Sequence, residues 1–178
     1  MAFWAYWWNT LSNILIIVEG PTDRAFIDSI AERLNISCKV ICMRGNEPKK
    51  ADRWLRIWRK TYGFCKVIIL KDTHRGDIDT SYLIGKVMKV ANQFKDIKVH
   101  IIQVKRSIES WILAGLSVKN PENLLNPEEE LKNLIQRKGK HYSKSIDVYR
   151  KLALEVDIEL AKSKSETFRN FLECLKDC

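Results

Sequence analysis

Glycine and proline are scarce in this chain, at 7 and 4 of 178 residues. That excludes collagen-like, linker-like and low-complexity organisation, and it favours regular elements joined by short loops. No G-x-x-x-x-G-K-[ST] loop occurs, so the chain carries no P-loop, and any ATPase working with it is a separate protein. The missing glycine-rich loop also counts against phosphate transfer between small molecules. The 5 cysteines, Cys38, Cys42, Cys65, Cys174 and Cys178, include no C-x-x-C pair. Neither the even count of a disulfide framework nor zinc-site spacing is present. They read as reduced thiols of a cytoplasmic protein, several buried in strands. A Lys-, Glu- and Ile-rich composition hints at a thermophile, where intracellular pairing of some of them stays open. No repeat is found, and no apolar run reaches the length of a bilayer span. The opening M-A-F-W-A-Y-W-W-N-T has no basic n-region. Residues 1–12 therefore read as an aromatic arm or extra strand, with a homodimer or membrane-surface contact through Trp4, Trp7 and Trp8 as the alternative.

What is abundant is positive charge. Lys and Arg number 31 against 22 Asp and Glu, for a net charge of +9, while 46% of residues are hydrophobic. This is a soluble globular composition that favours a polyanionic partner, nucleic acid before membrane. Hydrophobicity concentrates first in Ile14 to Val18, a β-branched run that suits a strand buried on both faces. The run meets Glu19, then Gly20-Pro21, and Thr22 is a candidate N-cap for an amphipathic helix over Asp23 to Leu34. Asn35 resembles its stop. Strands follow at Cys38 to Met43, Lys66 to Leu70 and Val99 to Val104. Helices are expected from Pro48 to about Lys60, from Asp79 to Phe94, and from Ser107 through Glu109, Trp111 and Leu113. This alternation predicts an α/β fold over residues 13–116, a mostly parallel sheet of about four strands flanked by helices. From Asn126-Pro127 onward the pattern is helical, broken at Gly139 to Ser145 and near Asp157. Residues 117–178 read as a helical extension packed on the same core.

Two of the strands end in carboxylates, Glu19 and Asp72. In a parallel sheet such strand ends share one edge, the edge where open α/β sheets bind ligands. Clustered carboxylates repel, so a cation or a bound proton must stabilise them at neutral pH. Oxygen ligands of this kind suit Mg²⁺ or Mn²⁺. Helix-cap and loop roles are the alternative reading of both residues.

V-E-G-x-T-D after the first strand, and D-x-x-R-G-D after a later one, resemble the Toprim domain of type IA topoisomerases, bacterial primases, OLD-type nucleases and ribosomal RNA maturases. The likeness extends to V-K-R-S-I-E-S-W-I-L-A around Glu109 and to S-x-x-F-x-x-F-L from Ser165 to Leu172, elements of small stand-alone Toprim-like proteins. It implies a Rossmannoid sheet and a metal-dependent nucleic-acid phosphodiesterase. Glu19 and Asp72 match the family's glutamate and first aspartate, and Asp23 matches the second acidic residue of OLD-like members. His74 stands where the second aspartate of Asp-x-Asp belongs. Asp77 or Asp79 can replace it, His74 can itself bind Mn²⁺, or catalysis is weakened. The implied metal set is Glu19, Asp23, Asp72, His74 and Asp77, with Arg75 neutralising developing phosphate charge. Glu109 reads equally as a surface residue or as a fourth acid. No covalent-tyrosine domain or zinc domain is recognisable, so nuclease is the plainest activity. An impaired module that grips nucleic acid or a separate ATPase is the alternative.

Residues 36–66 hold nine Lys and Arg against two acids. Arg44, Lys49, Arg53, Arg56 and Lys60 form the candidate phosphate-binding set. The last four share a helical face, with Trp54, Leu55 and Trp58 turned to the sheet. Such a stripe binds phosphate backbones without reading sequence, or it is simply a solvated face. Arg137, Lys138, Lys140, His141 and Lys144 make a second basic group in the break of the tail, a clamp or an exposed loop.

Overall fold

The computed structural model describes residues 14–42, 56–57, 60, 63–73, 89, 93 and 97–176. Four parallel strands, β1 (Ile14–Val18), β2 (Cys38–Cys42), β3 (Lys66–Asp72) and β4 (Lys98–Val104), form one sheet in the order β2-β1-β3-β4. Ile14 pairs with Cys38 on one side and with Lys66 on the other, while Lys66 pairs with Lys98. All four strands thus start at one edge and finish at the opposite one. The two central strands are the two purest apolar runs, as burial on both faces requires.

Six helices are described: α1 (Pro21–Arg33), α2 (Ile108–Gly115), α3 (Pro127–Arg137), α4 (Ile146–Glu155), α5 (Ile158–Lys164) and α6 (Glu166–Lys176). None is long and apolar enough to cross a membrane. Alternation along the strands splits the apolar residues by face. Ile14, Ile16, Val18, Ile68 and Leu70 join one cluster with α1, α2 and the helices after residue 126. Leu15, Ile17, Ile41, Phe64, Val67 and Ile69 form a second cluster on the other face.

Trp111 of α2 is the centre of the larger cluster. It is fully buried, stacks on Phe171 at a centroid distance of 5.3 Å, meets Phe168 tilted at 5.1 Å, and its Nε1 donates to Thr167 Oγ1 at 2.7 Å. Buried Glu122 accepts from Ser165 Oγ at 2.6 Å and from the Thr167 amide at 3.1 Å. Burial alone would raise this carboxyl, but those bonds outweigh it and hold it below the usual glutamate range. At the foot of β3, the fully buried Lys66 donates its ammonium to the carbonyl of Cys174 in α6 at 2.7 Å.

Several local expectations are corrected. Helix α1 begins at Pro21, not after Thr22: Gly20 is the N-cap, and Thr22 is a buried residue of the first turn. The reason is Pro21, whose fixed φ and missing N–H suit a first helical position. The tail has a further break at Ser165, where the Glu122 contact turns the chain. Cys38 and Cys42 lie in β2 but are half-buried, and Cys65 is exposed, so the described strands hide no thiol. Asn35 adopts φ 54°, as its role of helix stop requires. The arm at 1–12, the helix over Asp79–Phe94 and most of the basic helix lie outside the described residues.

Gly115 ends α2 against the junction of α4 and α5. A Cβ there would meet Val156 Cγ1 at 2.4 Å and the Asp157 carbonyl at 3.1 Å. Gly115→Ala is therefore expected to destabilise the fold by about 1–3 kcal/mol, read as a lower denaturant midpoint at unchanged slope. A midpoint equal to wild type would contradict this packing.

Candidate functional site

The C-terminal rim of the sheet opens into a cleft of about 670 Å³. Glu19 enters it from the end of β1, Asp72 from the end of β3, Asp23 from the first turn of α1 and Glu109 from the first turn of α2. Because β1 and β3 are parallel neighbours, the first two meet: Glu19 Oε1 accepts the Asp72 amide proton at 3.1 Å. Glu19 Oε1 also accepts from the ammonium of Lys71, a nearly buried side chain. Asp23 Oδ2 accepts from the Gly20 amide at 2.9 Å, which fixes the α1 N-terminus and this carboxylate together.

Crowding four acids in a partly dry cleft shifts their protonation. Burial pushes the Asp72 carboxyl up to about 9; the charges of Asp23, Glu19 and Glu109 add to the shift, and Lys71 opposes it. Burial likewise raises Asp23 to about 6, against the hydrogen bond from Gly20. Glu109 goes the other way. Its burial is outweighed by hydrogen bonds from Ser107 and Tyr149 and by the charge of Lys144, so it stays ionised below the usual range. Burial and the adjacent Glu109 charge push the Tyr149 phenol up, keeping it a donor.

The positive side of the cleft is Lys144. Its ammonium lies 2.7 Å from Glu128 Oε2 and 3.4 Å from Glu109 Oε1. Although burial disfavours its charge, these carboxylates hold its pKa above the ordinary lysine value. Arg106 also lines the cleft. It adopts φ 69°, and its amide donates to Thr73 Oγ1 at 2.8 Å, which joins the ends of β3 and β4.

Of the sequence-predicted residues, Glu19, Asp23 and Asp72 line this one cleft, and Glu109 joins them as a buried acid rather than a surface residue. His74, Arg75 and Asp77 lie outside the described residues, as do Arg44, Lys49 and Arg53. Arg56 and Lys60 are exposed. Sequence reasoning assigned Lys144 only to a basic loop, named Ser107 only as the start of a helix, which it caps, and did not single out Arg106 or Glu128. The S-x-E spacing of Ser107 and Glu109 at a helix start was the available signal.

Hard carboxylate oxygens are the donor set of Mg²⁺ and Mn²⁺. Asp72, raised to about 9 by burial and then by the charges of Asp23, Glu19 and Glu109, sits where a cation would favour its ionised form. On this chemistry the residues fit such an ion. Among the described residues no three acidic, histidine or cysteine groups are already set to hold one, and Glu19 is paired with Lys71.

No protein-family model matches the chain, and no curated protein does. Among solved structures, it is similar to the C-terminal region of the Xanthomonas campestris pv. campestris OLD protein at 18% identity and a TM-score of 0.47. That match covers 94% of this chain and 95% of the other. It is also similar to the C-terminal region of the Burkholderia pseudomallei OLD protein at 17% identity and a TM-score of 0.44, over 93% and 98% of the two chains.

The raised Asp72 carboxyl fixes a pH dependence. In the unfolded chain this group ionises near 3.8, whereas the fold keeps it protonated to about 9. Between those values unfolding releases a proton, so this group's contribution to stability falls as pH rises. Asp72→Asn is therefore expected to melt several degrees above wild type at pH 8 without divalent ions, and the gap is expected to close toward pH 4. A gap independent of pH would contradict the crowding.

Proposed function

We propose that this chain is a Mg²⁺- or Mn²⁺-dependent phosphodiesterase acting on nucleic acid, a nuclease of the Toprim kind. The observation that carries the reading is the convergence of Glu19, Asp23, Asp72 and Glu109 on one cleft at the strand ends, with Lys144 beside them. The four carboxylates would hold the ion. When bound, a divalent cation supplies Lewis-acid polarisation of the phosphodiester and a more acidic water.

The chain's own groups do the rest. Lys144, kept charged by Glu109 and Glu128, is placed to neutralise a non-bridging phosphate oxygen as charge grows there. Asp23, with a carboxyl at about 6, can take or give a proton at Oδ near neutral pH. Tyr149 donates to Glu109 and holds its orientation. Glu19 is oriented by the Asp72 amide and by Lys71. The net charge of +9 and the exposed Arg56 and Lys60 suit a polyanion lying across the rim.

One observation favours a second reading. The Lys71 ammonium already compensates Glu19, as it would in an impaired module that binds nucleic acid, or a partner ATPase, without cutting.

Cleavage of labelled single- and double-stranded DNA and RNA separates the two readings. Wild type is expected to cut with Mg²⁺ or Mn²⁺ and not with chelator. Glu19→Gln and Asp72→Asn are expected to lose at least about 100-fold, and Lys144→Ala about 100-fold in kcat. Salt-sensitive binding without cutting by wild type would favour the module. Full cutting by both carboxylate variants would overturn the metal site.

A further inference from the structure

Beside the acidic cleft, across Pro21, lies a second depression of about 510 Å³. Pro21 lines both, so the two adjoin at the start of α1. The character of the surface reverses there. Three cations from three elements face the depression: Arg24 of α1, Lys39 of β2 and Arg150 of α4. Asp28 is the one acid among them. The Arg24 side chain is about half exposed, and its Nε donates to Asp28 Oδ2 at 3.4 Å. Arg150 is more exposed still, and its Nη1 lies 4.0 Å from Asp147 Oδ1, itself an exposed side chain. Exposed ion pairs of this kind contribute little to stability, so folding alone gives little reason for the convergence. Ile146, a large apolar side chain left 43% exposed, borders the same depression.

We infer that this groove receives the backbone of a polynucleotide strand whose scissile phosphodiester sits in the acidic cleft, with Arg24, Lys39 and Arg150 neutralising phosphates beyond the cut. The inference rests on the proposed reading of the cleft and adds a path for the substrate. A cleft of four carboxylates repels every phosphate not opposite a cation or Lys144. A long polyanion is retained only if the surface next to the acids is basic. Guanidinium groups suit this task because their planar fork pairs with two phosphate oxygens at once. The exposed Ile146 offers an apolar contact to a sugar or base edge. Nothing in the groove discriminates ribose from deoxyribose, so the ligand is a phosphodiester backbone of either kind. The substrate class this implies is a strand several nucleotides long, not a dinucleotide or nucleotide ester.

The test is fluorescence anisotropy with a labelled 12-nucleotide strand, as DNA and as RNA, in chelator and over a salt series. Wild type is compared with Arg24→Gln/Arg150→Gln, with Arg24→Lys/Arg150→Lys, and with Lys162→Gln/Lys164→Gln as an equal charge change on α5. Losing two phosphate contacts is expected to weaken binding about tenfold at low salt and to flatten the plot of log affinity against log salt by about 1.4. The lysine pair is expected to keep the wild-type slope, and the α5 pair to match wild type. Loss on one nucleic acid only supports the groove and names its ligand. No binding by wild type, or an unchanged slope in the glutamine pair, overturns it. The anisotropy reads binding and the cleavage assay above reads cutting, so binding without cleavage removes the enzyme and leaves the groove, while cleavage with an unchanged slope does the reverse.

Discussion

The contact between Glu19 and the end of β3 is the constraint from which the rest of the cleft follows. One carboxylate oxygen accepts both the Asp72 amide and the Lys71 ammonium. This ties the two central strand ends and sets two acids beside one another where water is scarce. Burial first, and then repulsion at close range, disfavour charge there. Asp72 is held protonated up to about 9 by its burial, with the charges of Asp23, Glu19 and Glu109 added, while Glu109 stays charged because bonds from Ser107 and Tyr149 and the charge of Lys144 outweigh its own burial. One cleft thus contains an acid that is neutral and an acid that is ionised at the same pH. Separation of this kind is how paired carboxyl groups acquire different roles.

The helices after residue 126 are part of this arrangement. Lys144 lies in the turn between α3 and α4, and Tyr149 lies in α4. Both reach Glu109, on α2. Helix α2 is in turn fixed by Trp111 between Phe168 and Phe171 and by the Glu122–Ser165–Thr167 contacts. Fully buried aromatic packing of this kind is worth several kcal/mol. The charge balance at the rim thus depends on side chains that follow the sheet by 40 residues or more.

Much of this was legible beforehand, for physical reasons. The runs at Ile14 and Lys66 are apolar without alternation, which only a doubly covered strand tolerates, and both end in an acid. Parallel pairing then forces Glu19 and Asp72 to one rim. The start of α1 was misplaced because Thr22 looks like a cap, while Pro21 already has the dihedral of a first helical residue. Lys144 escaped because its importance comes from a fold-back: nothing in K-H-Y-S-K-S tells that this loop lies over Glu109. The break at Ser165 escaped for the same reason, since its partner Glu122 lies 43 residues earlier.

The bond from Lys66 to the carbonyl of Cys174 joins the first residue of β3 to the last turn of α6. A fully buried ammonium is costly until its acceptor arrives. During synthesis the ribosome makes β3 more than a hundred residues before that acceptor exists. The buried setting of Lys66 is therefore complete only when α6 is docked on the foot of β3.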